Sequence, residues 1–158
     1  MTVQIMPTES MWRVLDRAMM SIVPDGARGR SRIADEVSRI IGVRISVPAL
    51  LSLDKLKECP MRITELGAQV GSSSSTITRQ IQDMEQKGLV VRQADVSDGR
   101  VAVISLSEKG ILAQKASMEV RVASLKGVLH DWPEDEIQLL APLLERLRAS
   151  LARGRSDY

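Results

Sequence analysis

Apolar residues recur at steps of three and four along most of the chain, and that spacing predicts helices. Met11, Leu15, Ala18 and Ile22 mark a helix over 9–23, which Pro24-Asp25-Gly26 is expected to stop. Residues 27–32 (Ala-Arg-Gly-Arg-Ser-Arg) read as a basic, flexible joint. Ile33, Val37, Ile40 and Ile41 form the inward stripe of a second helix over 31–42, with Gly42 as its C-terminal stop. A third helix, 47–57, has Ser46 as cap, Pro48 in its first turn and Leu50, Leu53 and Leu56 on its apolar side. Cys59-Pro60 ends it.

The period then shortens. Thr64 caps or begins a short helix through Val70, with Ile63, Leu66 and Val70 apolar, and Gly71-Ser72 makes a tight turn. Ser73 or Ser74 caps a longer helix that reaches Gly88 on a buried stripe of Ile77, Ile81 and Met84. Beyond Gly88 the pattern becomes that of strands. Leu89 to Arg92 and Val101 to Leu106 flank a loop, 95–100, whose Asp98-Gly99 suits a reversal. Ser107 caps a helix over 108–129, with Ile111, Met118, Val122, Leu125 and Leu129 near heptad spacing. Asp131-Trp132-Pro133-Glu134 has the form of a capping box opening a last helix, 132–152. Ile137, Leu140, Leu144, Leu147 and Leu151 repeat on one face of that helix, Leu139 and Leu143 form a second row, and Pro142 predicts a kink. The fold class is therefore mainly α with a small β-hairpin wing: N-terminal helices over 1–45, a winged helix-turn-helix lobe over 46–106, C-terminal helices over 107–152, and a tail over 153–158. The two adjacent apolar rows of the last helix exceed what one small lobe needs and are expected to form a dimer seam.

Composition narrows the function. The 158 residues carry 22 Lys and Arg against 20 Asp and Glu, so bulk charge does not argue for a polyanionic partner, and placement must. With no Phe, two Trp and one Tyr, the chain has few rings on which single-stranded bases could stack. No apolar run is long enough to cross a membrane, the first residues do not form a secretory signal, and a cytoplasmic setting is expected. Cys59 is the single cysteine and His130 the single histidine, so a metal site, a cofactor-free nucleophile–base pair and an internal disulfide all lack partners. Neither an enzyme nor a cofactor is expected. Cys59 could alternatively sense oxidants. Trp12 and Trp132 could line a ligand pocket or fill a dimer core, and Arg28, Arg30 and Arg32 could touch DNA or simply be solvated.

What remains is a helix whose outer face is Ser73, Ser74, Ser75, Thr76, Thr78, Arg79 and Gln82, all hydrogen-bonding types. In a helix-turn-helix the second helix enters the major groove with its N-terminal turns at the base edges. Arg100 at the wing tip, oriented by Asp98, could reach flanking backbone or minor groove.

The ordered string Leu66 to Gly71, Ser75-Thr76-Ile77-Thr78-Arg79, Glu85-Gln86-Lys87-Gly88-Leu89-Val90, Asp95 with Asp98-Gly99-Arg100, and Ser105 to Gly110 resembles the MarR family of transcriptional regulators over residues 30–150. The resemblance implies a homodimer on pseudo-palindromic double-stranded DNA, usually a repressor released by a small aromatic or anionic effector held between the dimer helices and the DNA-binding lobe. Two alternatives stay open, a winged helix used for protein contact and a DNA binder with no effector. The chain departs from the family at Gly67, where Ala is usual, at Ser97, where Arg is usual, and in lacking core Phe. The helix at 9–23 is either an N-terminal extension or part of an interrupted first dimer helix.

Overall fold

The computed structural model describes residues 9–94 and 102–154; wing-tip residues Asp98 and Arg100 lie outside them. Among the described residues, six helices and three short strands follow in the order α1 (Glu9–Ile41), α2 (Val47–Leu56), β1 (Met61–Arg62), α3 (Ile63–Val70), α4 (Ser74–Gln86), β2 (Val90–Ala94), β3 (Ala102–Leu106), α5 (Glu108–Val128) and α6 (Glu134–Gly154).

The predicted break at Pro24 is not there. α1 runs as one helix of 33 residues through Pro24-Asp25-Gly26 and through the expected joint at 27–32. An interior proline costs roughly 3 kcal/mol and one backbone hydrogen bond, but it does not forbid helix when long helical segments flank it on both sides. The first two predicted helices are thus a single element. Gly42 does end it, with φ at 69°. Only part of the predicted inward stripe is covered: Val37 is buried and Ile33 and Ile41 are partly so, whereas Ile40 is exposed.

Two compact units divide the chain, with the boundary between Val120 and Arg121 inside α5. The first is organised around the apolar faces of α2, α3 and α4. Leu53, Leu66, Ile77, Ile81, Met84, Leu89 and Ile104 are wholly removed from solvent and form one core with Val37 of α1. Burying each such side chain is worth about 1.5–3 kcal/mol, so this cluster dominates the lobe's stability.

The predicted hairpin gains a third strand. β1 pairs antiparallel with β3 (Met61 opposite Ile104), and β3 pairs with β2 (Val90 opposite Leu106, Ala94 opposite Ala102), giving the order β1-β3-β2. Two residues beside a proline are too short to show a period, so Met61-Arg62 carried no strand signal.

In the same unit α5 turns inward a face of small and polar residues, Gly110, Ala113, Gln114, Ala116 and Ser117. Its near-heptad apolar residues Ile111, Met118, Val122 and Leu125 are exposed.

The second unit holds the end of α5 and α6. The helix begins at Glu134, not at 132, with Glu134, Asp135 and Glu136 in its first turn. Asp131 therefore lies too far upstream to cap it, which corrects the expected capping box. The acidic first turn does the electrostatic work there. α6 continues through Pro142. Of the predicted seam, Ile137 and Leu140 are half-buried, while Leu144, Leu147 and Leu151 are exposed, as are Leu139 and Leu143 of the second row.

Candidate nucleic-acid interface

α3 does not start at Thr64. Arg62 precedes its first turn, and its backbone N–H donates to Glu65 Oε2 at 3.0 Å, so the glutamate closes the helix start. Gly71, with φ at 69°, makes the sharp exit, where the Ser72 N–H returns to the Gly67 carbonyl at 2.8 Å. Gly67 also lies where α3 comes close to α4. A Cβ placed there would lie 3.1 Å from Ile77 Cγ2, so the small residue expected at this position does pack against the second helix.

Ser73 is the N-cap of α4. Its Oγ accepts from the Thr76 N–H at 3.3 Å and is bonded to Thr76 Oγ1 at 2.8 Å, with Ser75 Oγ 3.3 Å away. Thr78 Oγ1 donates to the Ser74 carbonyl at 2.7 Å. The hydroxyl-rich tip is therefore a partly self-bonded cluster. Ser73 and Thr76 mainly hold the helix start, whereas Ser74 and Ser75 stand exposed beside them. Arg79 and Gln82 are exposed further along, and Ile77, Ile81 and Met84 beneath are fully buried, as the periodicity predicts. No acidic residue occupies the first turn of α4, so its partial positive charge faces outward uncompensated by a carboxylate on that turn.

A groove of about 590 Å³ runs between the start of α2 and α4, lined by Ser46, Pro48, Ser75, Thr76, Arg79, Gln80 and Asp83. The sequence reading placed Ser75, Thr76 and Arg79 on an outer surface but passed over Gln80. Its half-buried amide Nε2 donates to Ser52 Oγ at 2.7 Å and to the Pro48 carbonyl at 3.0 Å, tying α4 to α2. Period alone places residue 80 at the flank of the stripe and shows nothing of its partner 28 residues upstream.

The wing is anchored from its base. Arg92 on β2 grips Glu85 near the end of α4 through Nε–Oε1 (2.7 Å) and Nη2–Oε2 (3.1 Å). Hydrogen bonding to Glu85 raises the Arg92 pKa above its usual value, so the arginine stays charged at any pH the fold meets. At the very base of the hairpin Ser107 Oγ donates to the Gly88 carbonyl and accepts from the Gly110 N–H at 3.0 Å. Ser107 thus caps α5 and seats it on the α4–β2 turn.

Other candidates scatter. Cys59 is exposed beyond the end of α2. The imidazole of His130 lies 3.0 Å from the Gly127 carbonyl, and among the described residues no three His, Cys, Asp or Glu side chains gather as metal ligands. Trp12 and Trp132 are both largely exposed. Among the described residues no helix is long and apolar enough to cross a membrane.

A capped two-helix unit with a tight Gly turn, braced by α2 and followed by a hairpin whose sheet is completed by β1, is a winged helix-turn-helix. Its relatives agree. Residues 47–102 match the MarR family. The organic hydroperoxide resistance transcriptional regulator of Bacillus subtilis is 32% identical over 109 residues, covering 66% of this chain and 74% of that protein. An uncharacterised HTH-type transcriptional regulator of the same organism, YxaD, is 32% identical over 88 residues, which span 56% of this chain and 62% of that protein's length. Among solved structures, a MarR family protein from Bacillus stearothermophilus superposes with a TM-score of 0.77 at 26% identity, covering 93% of this chain and 99% of that one. The chain belongs to the MarR family.

Proposed function

We propose that this protein is a sequence-specific, double-stranded DNA-binding transcriptional regulator that acts as a homodimer on a pseudo-palindromic operator. The observation that carries the reading is the division of α4. One face, Ile77, Ile81 and Met84, is wholly buried, and the other presents Ser74, Ser75, Thr78, Arg79 and Gln82 with no carboxylate among them. Small hydroxyls let backbone come close to a groove, Arg79 suits a phosphate or a guanine edge, and Gln82 can pair with a base edge. Ser73 and Thr76 hold the tip in shape. Asp98 and Arg100 extend the contact through the wing in the same proposal.

The homodimer is supported by apolar residues that the single chain leaves in solvent. Leu144, Leu147 and Leu151 on α6, with Leu139 and Leu143 beside them, make a stripe larger than isolated surface leucines explain. Ile137 and Leu140 border it. Residues 46–106 form the reading lobe and the helices on either side supply the dimer contacts.

Repression with release by an effector is the regulatory form we favour. A groove of about 530 Å³ within the first unit joins the apolar Ile40, Ile41, Leu112 and Ala116 to Lys109 and Lys115, with Glu119 at its side. That combination suits a small anionic, aromatic or otherwise amphipathic molecule. A ligand releases DNA only if it prefers the conformation that binds the operator less well. A cytoplasmic site of action follows from the reading.

The test is Arg79→Ala. Affinity for a duplex protected by the wild-type protein should fall at least about tenfold, with folding and dimerisation kept. Unchanged duplex affinity in a folded Arg79→Ala dimer contradicts the reading and favours a winged helix used for protein contact.

A further inference from the structure

Ser52 is anomalous where it stands. It lies on the inner side of α2 between Ala49, Leu53 and Leu56, and it is fully removed from solvent. A hydroxyl there is costly unless it is paired. The structure supplies the partner from α4: Gln80 Nε2 donates to Ser52 Oγ at 2.7 Å and also to the Pro48 carbonyl at 3.0 Å. This polar cross-link joins the two helices above a shared apolar core, to which α4 contributes Ile77, Ile81 and Met84 and α2 contributes Ala49, Leu50, Leu53 and Leu56.

Apolar packing is only weakly directional. It fixes how close α4 sits to the core more firmly than how α4 is rotated about its own axis. Rotation matters here, because Arg79 precedes Gln80 in the chain and shares the groove wall with it, Ser75 and Thr76. Side-chain tips lie roughly 5–6 Å from a helix axis, so a turn of about 10° carries them by about 1 Å. Productive base contacts tolerate about 0.5 Å. Two directional bonds from one amide to two sites on α2 remove that freedom.

We infer that Gln80, through Ser52 and Pro48, is a specificity-positioning residue: it sets the rotation of the recognition helix without touching DNA. The inference rests on the DNA-binding reading of α4 and adds a residue to it. Gln80 does not raise affinity for duplex in general. It separates the right sequence from the wrong one, because phosphate contacts tolerate a small rotation and base-edge contacts do not.

The experiment uses the full chain and two duplexes. One is enriched from a random-sequence library by the wild-type protein; the other is an unrelated sequence of equal length. Gln80→Leu removes the donor at similar size, and Ser52→Ala removes the buried acceptor with little change in volume, so at least one variant should fold. In either variant the dissociation constant for the enriched duplex is expected to rise about tenfold, while that for the unrelated duplex moves less than about twofold. The dependence on salt should stay unchanged, since no phosphate contact is lost. The double variant should be no worse than Gln80→Leu alone, because both substitutions break one link. A parallel loss on both duplexes, or no loss on either in folded protein, overturns the inference. If the wild-type protein enriches no sequence, the DNA-binding reading falls first and this one with it.

Discussion

At the residue scale the most demanding position is a glycine. A Cβ on Gly110 would stand 1.9 Å from the Leu89 carbonyl oxygen, which is backbone and cannot swing aside. Gly110→Ala should therefore destabilise the lobe by about 3 kcal/mol despite the better helix propensity of alanine. Gly67 behaves differently. A Cβ there would meet an Ile77 methyl at 3.1 Å and the Ser72 carbonyl oxygen at 3.3 Å, so each neighbour has to give by only a few tenths of an ångström. Gly67→Ala is expected to change stability by less than about 1 kcal/mol, since gained helix propensity offsets the crowding. Urea unfolding of both variants checks the contrast, and equal losses would contradict it.

At the element scale the helix-turn-helix and the spans of α5 and α6 were legible, and the continuity of α1 was not. Ser46, Gly71, Ser73 and Gly88 act locally, through caps and left-handed turns, so residue type announced them. The buried stripe of α4 repeats cleanly and was read correctly. Pro24-Asp25-Gly26 misled because a strong local stop signal was outweighed by helix on both sides. On α5 the near-heptad apolar residues stay exposed in the single chain, and what the pattern did not announce is that the lobe buries the small face from Gly110 to Ser117, which allows close approach. Met61-Arg62 pairs with β3 at long range, and no local pattern announces such a pairing. Gln80 escaped for the same reason. A consequence of the continuous α1 can be measured: nothing lies within 4 Å of a Cβ on Gly29, inside the helix. Gly29→Ala should then add about 0.5–1 kcal/mol, raising Tm by a few degrees. An unchanged Tm would indicate the flexible joint that the sequence suggested.

At the scale of the whole molecule, charge and exposed apolar area define the expected behaviour. The net charge of +2 is small, so affinity for duplex has to come from groups placed on one face. Binding should still weaken steeply with salt, by at least about a hundredfold between roughly 50 and 200 mM, because phosphate contacts release condensed ions. A flat salt response would contradict an interface built on Arg79 and a helix N-terminus. The leucines of α6 exposed in one chain should become protected in a second-order, concentration-dependent step. Replacing Leu144 and Leu147 together by Ser should shift the molecule toward monomer in sedimentation, while the lobe core, which contains neither residue, stays folded. Monomers would bind duplex far more weakly, because each then grips a single half-site. The central claim is that two copies of the α4 tip engage one duplex at consecutive turns. Footprinting the wild-type protein on the DNA upstream of its own coding region tests it most directly. The account predicts a protected near-palindromic stretch with half-sites about 10 base pairs apart, centre to centre; no protection at any protein concentration, or protection of a single asymmetric site by a monomer, would contradict it.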